Sequence, residues 1–269
     1  MARIWFQKHT VAGRLPGLDE MYHQHFDAVR SAGTEVVVHT LPEATYPDRI
    51  PAGMVRYGAV EALFAPYFAA TARRAEKEGY DAYVIGTSQD PGLWEARALA
   101  SIPVLAYGET AFHFAAMTGR RFAVVGFIPE LREPIEENIR RYGLTDKLVG
   151  FEYSPELGPE AVVDALNGDP KAFLAAFIET ATRAARRGAE LIVPGEGLPN
   201  EILVHADVRQ IAGAAVLDVD GLLVRMAELL AGLRSSGIAP DAETGYRSRR
   251  PDEAVLDHMF DLFAPKVLK

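Results

Sequence analysis

The sequence of 269 residues contains no cysteine. This absence excludes disulfide bonds, thiolate metal sites, iron–sulfur clusters and every mechanism that uses a cysteine nucleophile. Long apolar runs are also absent, because no stretch approaches the roughly 18 uncharged residues that a membrane span requires. The first ten residues, MARIWFQKHT, lack the pattern of a secretory signal. We therefore expect a cytoplasmic protein without a membrane partner.

Positive charge is scarce, since 28 Lys and Arg stand against 37 Asp and Glu, which gives a net charge of −9. Binding of nucleic acid requires a concentrated cationic surface, so we expect no nucleic-acid partner. The apolar fraction of 49% and the charged fraction of 24% are typical of a globular domain with a sizeable core.

Several motifs of cofactor and metal chemistry are missing as well. The sequence has no G-x-G-x-x-G after a strand, no G-x-x-x-x-G-K-[ST], no H-E-x-x-H and no G-x-S-x-G. We therefore expect no nucleotide cofactor, no metal and no serine nucleophile of the hydrolase type.

Short β-branched segments alternate with longer segments of helical period. The apolar segments AYVIG and ELIVP predict strands that are covered on both faces, which is typical of a parallel sheet in an α/β fold. Predicted strands lie at 3–6, 34–39, 81–86, 102–106, 122–126, 147–153, 190–194 and 214–217. Predicted helices lie at 18–32, 55–78, 129–142, 170–187 and 222–233.

The chain also contains an internal repeat. The segment EGYDAYVIGTSQDPGLWEA resembles RGAELIVPGEGLPNEIL, and Thr87 and Glu196 occupy matching places in the two turns. The short strands that follow and the early strands RIWF and RFAVV are related by similar offsets. The ordered agreement predicts two similar lobes. We place the first lobe at 1–117 plus 222–269, with the C-terminal helices, and the second at 118–221.

Polar residues follow several of the predicted strands. In parallel sheets, ligands bind beyond the carboxyl ends of the strands, so two facing lobes would bring these residues to one cleft. The glycines among them let the backbone approach a ligand closely. The candidates are Gln7, Lys8, His9, Thr10, Thr87, Ser88, Gln89, Asp90, Glu109, His113, Glu196 and Gly197.

Glu196 is the strongest candidate, because it lies between two glycines after an apolar strand. Partial loss of water would raise its pKa towards that of a useful general acid or base. The alternative is an acid that stabilises the N-terminus of a helix at 198–211. Asp90 precedes Pro91 and has its own alternative as the N-cap of the next helix. Thr87 and Ser88 would hold a substrate carboxylate or would only satisfy the turn backbone.

The histidines divide into three groups. His9, at the end of the first strand, is a site candidate. His113 lies between two phenylalanines and is expected to be a hydrogen-bonded core residue, with a role in the site as the alternative. His23 and His25 are expected on a solvated helix face. No spacing typical of metal ligands connects any of them.

At the strand-end turns the sequence resembles the aspartate/glutamate racemase superfamily, and within it the hydantoin racemase branch. The segments that carry the resemblance are DAYVIGTSQDPGLWEAR, IPVLAYGETAFHFA, RFAVVGF, EENIRRYGL and GAELIVPGEGLPN. The resemblance implies two pseudo-symmetric Rossmann-like lobes with parallel sheets, an active site in the interlobe cleft and a homo-oligomer. It also implies two cysteines as opposed bases; Thr87 occupies the place of the first here, and Glu196 or its neighbour that of the second.

The expected function is proton-transfer chemistry without a cofactor on a small carboxylate or a cyclic imide or ureide, by an isomerase, lyase or hydrolase. Glu196 would act as general acid and base, with Thr87 and His9 as further catalytic residues. Substrate would be bound by Gln7, Thr10, Ser88, Gln89, Asp90, Glu109 and Gly197. One alternative is a non-catalytic binding or accessory protein, and another is a metal-assisted hydrolase that recruits His9, Asp90 and Glu196.

The C-terminal segment 237–269 extends beyond the region of resemblance. Its helical stretch EAVLDHMFDLF carries an apolar stripe. This stripe favours packing on the first lobe or assembly of subunits over a cover for the cleft. Its members are Val255, Leu256, Met259, Phe260 and Phe263.

Overall fold

The computed structural model describes residues 2–46, 48–238, 244–247 and 249–263. These residues form two β-sheets with helices on their faces. The first sheet is entirely parallel and has the order β2-β1-β3-β4. Its strands are β1 (Arg3–Val11), β2 (Glu35–Leu41), β3 (Ala82–Gly86) and β4 (Val104–Ala106).

The second sheet has the order β6-β5-β7-β9-β8, and it is parallel except for the edge strand β8. Its strands are β5 (Phe122–Val125), β6 (Leu148–Glu152), β7 (Leu191–Pro194), β8 (Gln210–Ile211) and β9 (Ala214–Val216). With β8 set aside, each sheet places its second, first, third and fourth strands in the same spatial order. The predicted α/β fold with two pseudo-symmetric lobes is confirmed.

The helices connect these parallel strands. They are α1 (Pro16–Val29), α2 (Ala52–Val55), α3 (Gly58–Lys77), α4 (Leu93–Leu99), α5 (Tyr107–Met117), α6 (Arg132–Arg141), α7 (Pro159–Leu166), α8 (Lys171–Arg186), α9 (Gly197–His205), α10 (Val219–Ser235) and α11 (Glu253–Phe263). All residues of β3, β5 and β7 are buried, as continuous apolar strands predict.

Two predicted helices end or break where the backbone changes conformation. The predicted helix 55–78 is divided into α2 and α3, because Tyr57 is extended, with φ −110° and ψ 116°. The predicted helix 198–211 ends at His205, and Asp207 has a φ of 51°. The chain then forms the β8–β9 hairpin, in which β9 matches the predicted strand 214–217 and β8 was not predicted. Ala212 and Gly213, both with positive φ, form its two-residue turn.

After β9 the chain returns to the first sheet. Helix α10 packs against β1, β3 and β4 and against α1 and α5. Helix α11 lies against α3, where Arg73 forms ion pairs with Glu253 and Asp257. The boundaries of the lobes at 117 and 222 stay a prediction.

The apolar stripe of α11 is divided between two environments. Leu256 is buried, and Phe260 lies 5.3 Å from the Arg73 guanidinium, whereas Val255, Met259 and Phe263 are exposed. Packing on the first lobe therefore accounts for only part of the stripe. The predicted tail also includes residues 239–243, 248 and 264–269, which lie outside the described residues.

Candidate functional site

A cavity lies where the carboxyl ends of the central strands of the two sheets face each other. The volume open to the centre of a water molecule is about 40 Å³, and the total volume free of protein atoms is about 430 Å³. Each lobe contributes residues at or just beyond the carboxyl ends of its first and third strands. The lining consists of Lys8, His9, Thr10, Tyr22, Pro51, Val55, Gly86, Thr87, Ser88, Gln89, Phe127, Ile128, Leu131, Glu196, Gly197 and Leu198.

Glu196 lies at the start of α9 in extended conformation, and it is 7% exposed. Glu196 is the N-cap residue of α9, but its side chain accepts no hydrogen bond from that helix. Instead its carboxyl oxygens accept hydrogen bonds of 3.2–3.3 Å from the backbone N–H groups of Phe127 and Ile128. Burial raises the pKa of Glu196 to about 8, against the opposing effect of these N–H groups. Such a group can release and take up a proton near neutral pH.

Gly126 makes room for this carboxyl group. A Cβ atom at position 126 would lie 2.8 Å from Glu196 Oε1 and 3.0 Å from Tyr153 Cε1. Because Gly126 has no side chain, the Glu196 carboxyl can reach the backbone N–H groups that follow β5.

Four buried polar side-chain atoms in the cavity lining have no hydrogen-bond partner among the described residues. They are His9 Nδ1, Thr10 Oγ1, Tyr22 Oη and Ser88 Oγ. A buried polar atom without a partner costs about 1–3 kcal/mol. The convergence of four such atoms on one cavity is typical of a ligand site, where the ligand supplies the missing partners.

His9 is enclosed by aromatic rings. Its ring centroid lies 4.3 Å from that of Phe64 and 5.7 Å from that of Phe68. Burial lowers the pKa of His9 to about 4, so the imidazole is neutral at physiological pH. His9 can therefore donate or accept one hydrogen bond to a ligand but does not supply a positive charge.

Lys8 is the principal site residue to which the sequence analysis gave no role, although it was among the candidates at the end of the first strand. The side chain is buried, and its ammonium lies 2.6 Å from Asp220 Oδ2 and 4.4 Å from the ring centroid of Tyr22. Residues of β1 are buried on both sides of the sheet. Alternation along this strand therefore does not reveal which side chain faces the cleft.

Thr87 and Gln89 lie in the lining but are bonded to each other. The Thr87 hydroxyl donates to Gln89 Oε1 at 2.7 Å, and the backbone oxygen of Gln89 accepts from Asn138 Nδ2. The hydroxyl of Ser88, in contrast, has no hydrogen-bond partner within the described part of the chain. Of the two turn hydroxyls, Ser88 is therefore the one available to donate to a ligand.

Three predicted binding residues do not line the cavity, and their side chains are engaged in other hydrogen bonds or ion pairs. Gln7 accepts from Trp5 Nε1 and donates to the backbone oxygens of Lys8 and His39. Glu109 forms an ion pair with Arg97, with oxygen–nitrogen distances of 2.5 and 2.9 Å.

The third, Asp90, caps a helix, but not the one expected from the sequence. The N-cap of α4 is Gly92. The Asp90 carboxylate instead accepts hydrogen bonds from the N–H groups of Gly108 and Glu109 in the first turn of α5, and from the Tyr142 hydroxyl. Burial raises the pKa of Asp90 to about 7. Asp90 therefore supports the turn that carries Thr87 and Ser88.

Two of the expectations for histidines are wrong. His113 is exposed and not part of the core. His25 is buried, whereas His23 is solvated as predicted. Both ring nitrogens of His25 contact carboxylates at 2.9 Å, Nδ1 that of Glu201 and Nε2 that of Asp218. These carboxylates raise the pKa of His25 to about 10, so it is an imidazolium. Its partners lie more than 170 residues away in the chain, and no local pattern indicates them.

The described residues contain no group of three His, Asp or Glu side chains arranged to hold a metal ion. His9 and Glu196 line the cavity, but the carboxylate of Asp90 faces α5. The donor set of the metal-assisted alternative is therefore not brought together. Within the described part of the chain, no helix is long and apolar enough to cross a membrane.

The sequence profile of the Asp/Glu/hydantoin racemase family matches residues 19–227. The chain belongs to this family. It is 31% identical over 210 residues to the hydantoin racemase of Paenarthrobacter aurescens, covering 77% of this chain and 86% of that protein. With the hydantoin racemase of Rhizobium meliloti it shares 32% over 206 residues, or 76% and 82% of the two chains.

Among solved structures, an allantoin racemase from Klebsiella pneumoniae aligns with a TM-score of 0.74 at 25% identity, over 94% of this chain and 95% of that one. The resemblance to the racemase superfamily is therefore confirmed. In this racemase-family chain, the cavity brings together seven of the ten predicted site residues: His9, Thr10, Thr87, Ser88, Gln89, Glu196 and Gly197. Their roles stay predictions.

Proposed function

We propose that this racemase-family chain is a cofactor-independent enzyme that transfers protons on a small carboxylate or a cyclic imide or ureide, with Glu196 as general acid and base. The observation that carries the proposal is the buried Glu196 carboxyl, with its pKa near 8, on a cavity lined by polar atoms without partners. The relatives named hydantoin racemase and allantoin racemase favour isomerisation over elimination or hydrolysis.

The proton would be taken from a carbon next to a carbonyl group. The Glu196 carboxylate accepts this proton. The electron pair of the C–H bond forms a double bond to the carbonyl carbon, and the π electrons of the carbonyl group move to its oxygen, which gives an enolate. Return of a proton to the carbon, from Glu196 or from water, completes the exchange. Ser88 is available to donate a hydrogen bond to the developing oxyanion, and the neutral His9 would orient the substrate.

A two-base exchange through thiols is excluded, because the chain contains no cysteine. Thr87 takes the place of one of the expected bases, but a threonine hydroxyl is too weak a base to deprotonate carbon unaided. Its proton is moreover held by Gln89. A single carboxylate base, assisted by water, fits these residues better than two opposed bases.

The test is exchange of substrate hydrogen for solvent deuterium, measured by NMR on hydantoins, allantoin and small 2-substituted carboxylates. It detects proton transfer whether the net reaction is isomerisation, elimination or hydrolysis. Glu196→Gln keeps the shape of the side chain and removes the base, so exchange is expected to fall by about 100-fold or more. Glu160→Gln, the same change at an exposed position, is the matched control. Full exchange in Glu196→Gln would contradict the proposal.

The competing proposal is a binding or accessory protein, and the lack of any cysteine in a racemase-family chain is the observation that favours it. It predicts that compounds stabilise the protein against heat while none exchanges hydrogen in the presence of wild-type protein. Exchange that depends on Glu196 would exclude it.

A further inference from the structure

The cavity contains one cationic side chain among the described residues that line it, and this is Lys8. It lies within β1, where it pairs with Gly86 of β3, and the residue is 1% exposed. A Cβ atom on Gly197 would lie only 3.2 Å from Lys8 Nζ, and one on Gly86 would lie 2.9 Å from Lys8 Cδ. The two turns that carry Thr87 and Glu196 therefore both leave room for this side chain.

Asp220 holds the Lys8 ammonium in position but does not engage all the N–H donors of this ammonium. An ammonium group has three N–H donors, and Asp220 Oδ2 accepts one of them at 2.6 Å. The ring of Tyr22, 4.4 Å from Nζ, covers another side of the group. In the described structure Asp220 is the one hydrogen-bond acceptor of Lys8, so the ammonium retains donors for a ligand.

Several other groups of this cavity can donate hydrogen bonds. The hydroxyls of Thr10, Tyr22 and Ser88 are buried, have no hydrogen-bond partner among the described residues and line the same cavity as Lys8. The backbone N–H groups of Gly197 and Leu198 belong to the first turn of α9, where the helix dipole favours negative charge. The carboxyl of Glu196 already accepts hydrogen bonds from the backbone N–H groups of Phe127 and Ile128 in its own lobe.

We infer that Lys8, held by Asp220, is the specificity-determining residue of this site and that it selects a substrate with a carboxylate over a neutral ring. This inference rests on the proposed proton-transfer function and specifies its substrate class. One carboxylate oxygen accepts a hydrogen bond from Lys8 Nζ, and the hydroxyls of Thr10 and Ser88 serve the remaining lone pairs. A neutral ureide leaves the buried ammonium without a counter-charge from the ligand.

The experiment compares carboxylates with their uncharged amides by isothermal titration calorimetry. The probes are malonate against malonamide, succinate against succinamide, and hydantoin as a neutral ring. Wild-type protein is expected to bind at least one carboxylate more tightly than its amide by about tenfold or more, the size of a charge-assisted hydrogen bond. Wild-type protein that binds no carboxylate at millimolar concentration, or binds the amides equally well, overturns the inference. This comparison requires no variant.

The double variant Lys8→Met/Asp220→Asn removes both charges of the buried pair, so that no unpaired charge remains in the interior. It is expected to lose the preference for carboxylates and to keep its affinity for the amides. Lys171→Met, the same loss of a lysine at an exposed position, should leave the preference intact. A folded double variant that still prefers carboxylates contradicts the assignment to Lys8.

Failure of this inference is distinguishable from failure of the proposed function. Glu196-dependent deuterium exchange on neutral ureides alone would overturn the role of Lys8 and leave proton transfer standing. A carboxylate preference that depends on Lys8, without exchange on any compound, would leave the binding site standing and remove the enzymatic proposal.

Discussion

The two lobes share one strand order, yet their strand ends contribute different groups to the cleft. At the carboxyl end of its first strand, the first lobe presents the side chains of Lys8, His9 and Thr10. The equivalent place in the second lobe holds Gly126, followed by N–H groups that bind Glu196. One lobe thus supplies donors for a ligand, and the other supports an acid. Duplication of a fold does not require duplication of chemistry.

The turns after the third strands differ in the same way. The Thr87 hydroxyl is bonded within its own turn to Gln89, whereas the Glu196 carboxyl reaches across to the neighbouring strand end. The first turn is further braced by Asp90, which binds the start of α5. If proton transfer is confined to the second lobe, variants at equivalent positions should have unequal effects.

The largest expected effect is on the pH dependence of deuterium exchange. A base must be deprotonated, and burial raises the pKa of Glu196 to about 8. The exchange rate should therefore rise with pH, by about tenfold per unit below pH 8, and level off above it. His9, with a pKa of about 4, remains neutral throughout this range.

Two variants identify the carboxyl group that causes this pH dependence. Asp90 also has a raised pKa, of about 7, but its carboxylate faces α5. In Asp90→Asn, the midpoint of the pH dependence of exchange should stay near pH 8. In Glu196→Gln, any exchange that remains should no longer show this pH dependence. A midpoint that moves with Asp90 instead would place the titrating group in the first lobe and break the comparison.

The next effect is expected from Gly126→Ala. The added methyl group would lie 2.8 Å from Glu196 Oε1, so the carboxyl must shift away from the N–H groups of Phe127 and Ile128. We expect a fall in exchange of about tenfold or more and a destabilisation of about 1–3 kcal/mol. Thermal unfolding measures the stability.

Gly232→Ala is the control for that substitution. This glycine lies in α10 with no atom within 4 Å of an added Cβ, so the same change should stabilise the protein by about 0.5–1 kcal/mol. Normal exchange in Gly126→Ala would show that Glu196 does not need its present position.

The smallest effect is expected from Thr87→Val, at the position equivalent to Glu196. Because the Thr87 hydroxyl donates to Gln89, its removal should lower exchange by less than about threefold, with a stability loss of about 1 kcal/mol from the lost hydrogen bond. Thr182→Val in α8 also removes a hydroxyl with an internal acceptor and serves as its control. A loss as large as that of Glu196→Gln would restore a two-sided mechanism.

Local patterns in the sequence are sufficient for much of the fold. Continuous apolar segments such as AYVIG predict buried parallel strands, and β3 has the expected position. The repeat of Thr87 and Glu196 predicts two equivalent turns, and both line the cavity. The strand β8 could not be predicted in this way, because two residues are too few to show a periodic pattern of apolar residues.

Side-chain direction and pairing account for what the sequence analysis missed. Gln7 and Lys8 are neighbours on a strand buried on both faces, and only the packed structure shows that Lys8 faces the cleft. Similarly, the sequence predicts His25 on a polar helix face, whereas in the structure Glu201 of α9 and Asp218, the N-cap residue of α10, contact its ring.

The strands other than β8, the internal repeat, the family and the lack of a thiol can be derived from the amino-acid sequence, because each depends on local composition or on matching segments. The burial and pairing of polar groups follow instead from tertiary packing. Lys8 and Asp220 are 212 residues apart, and their ion pair exists because both side chains are enclosed together. Burial and pairing depend on the whole packed chain, and they set the charges available in the cleft.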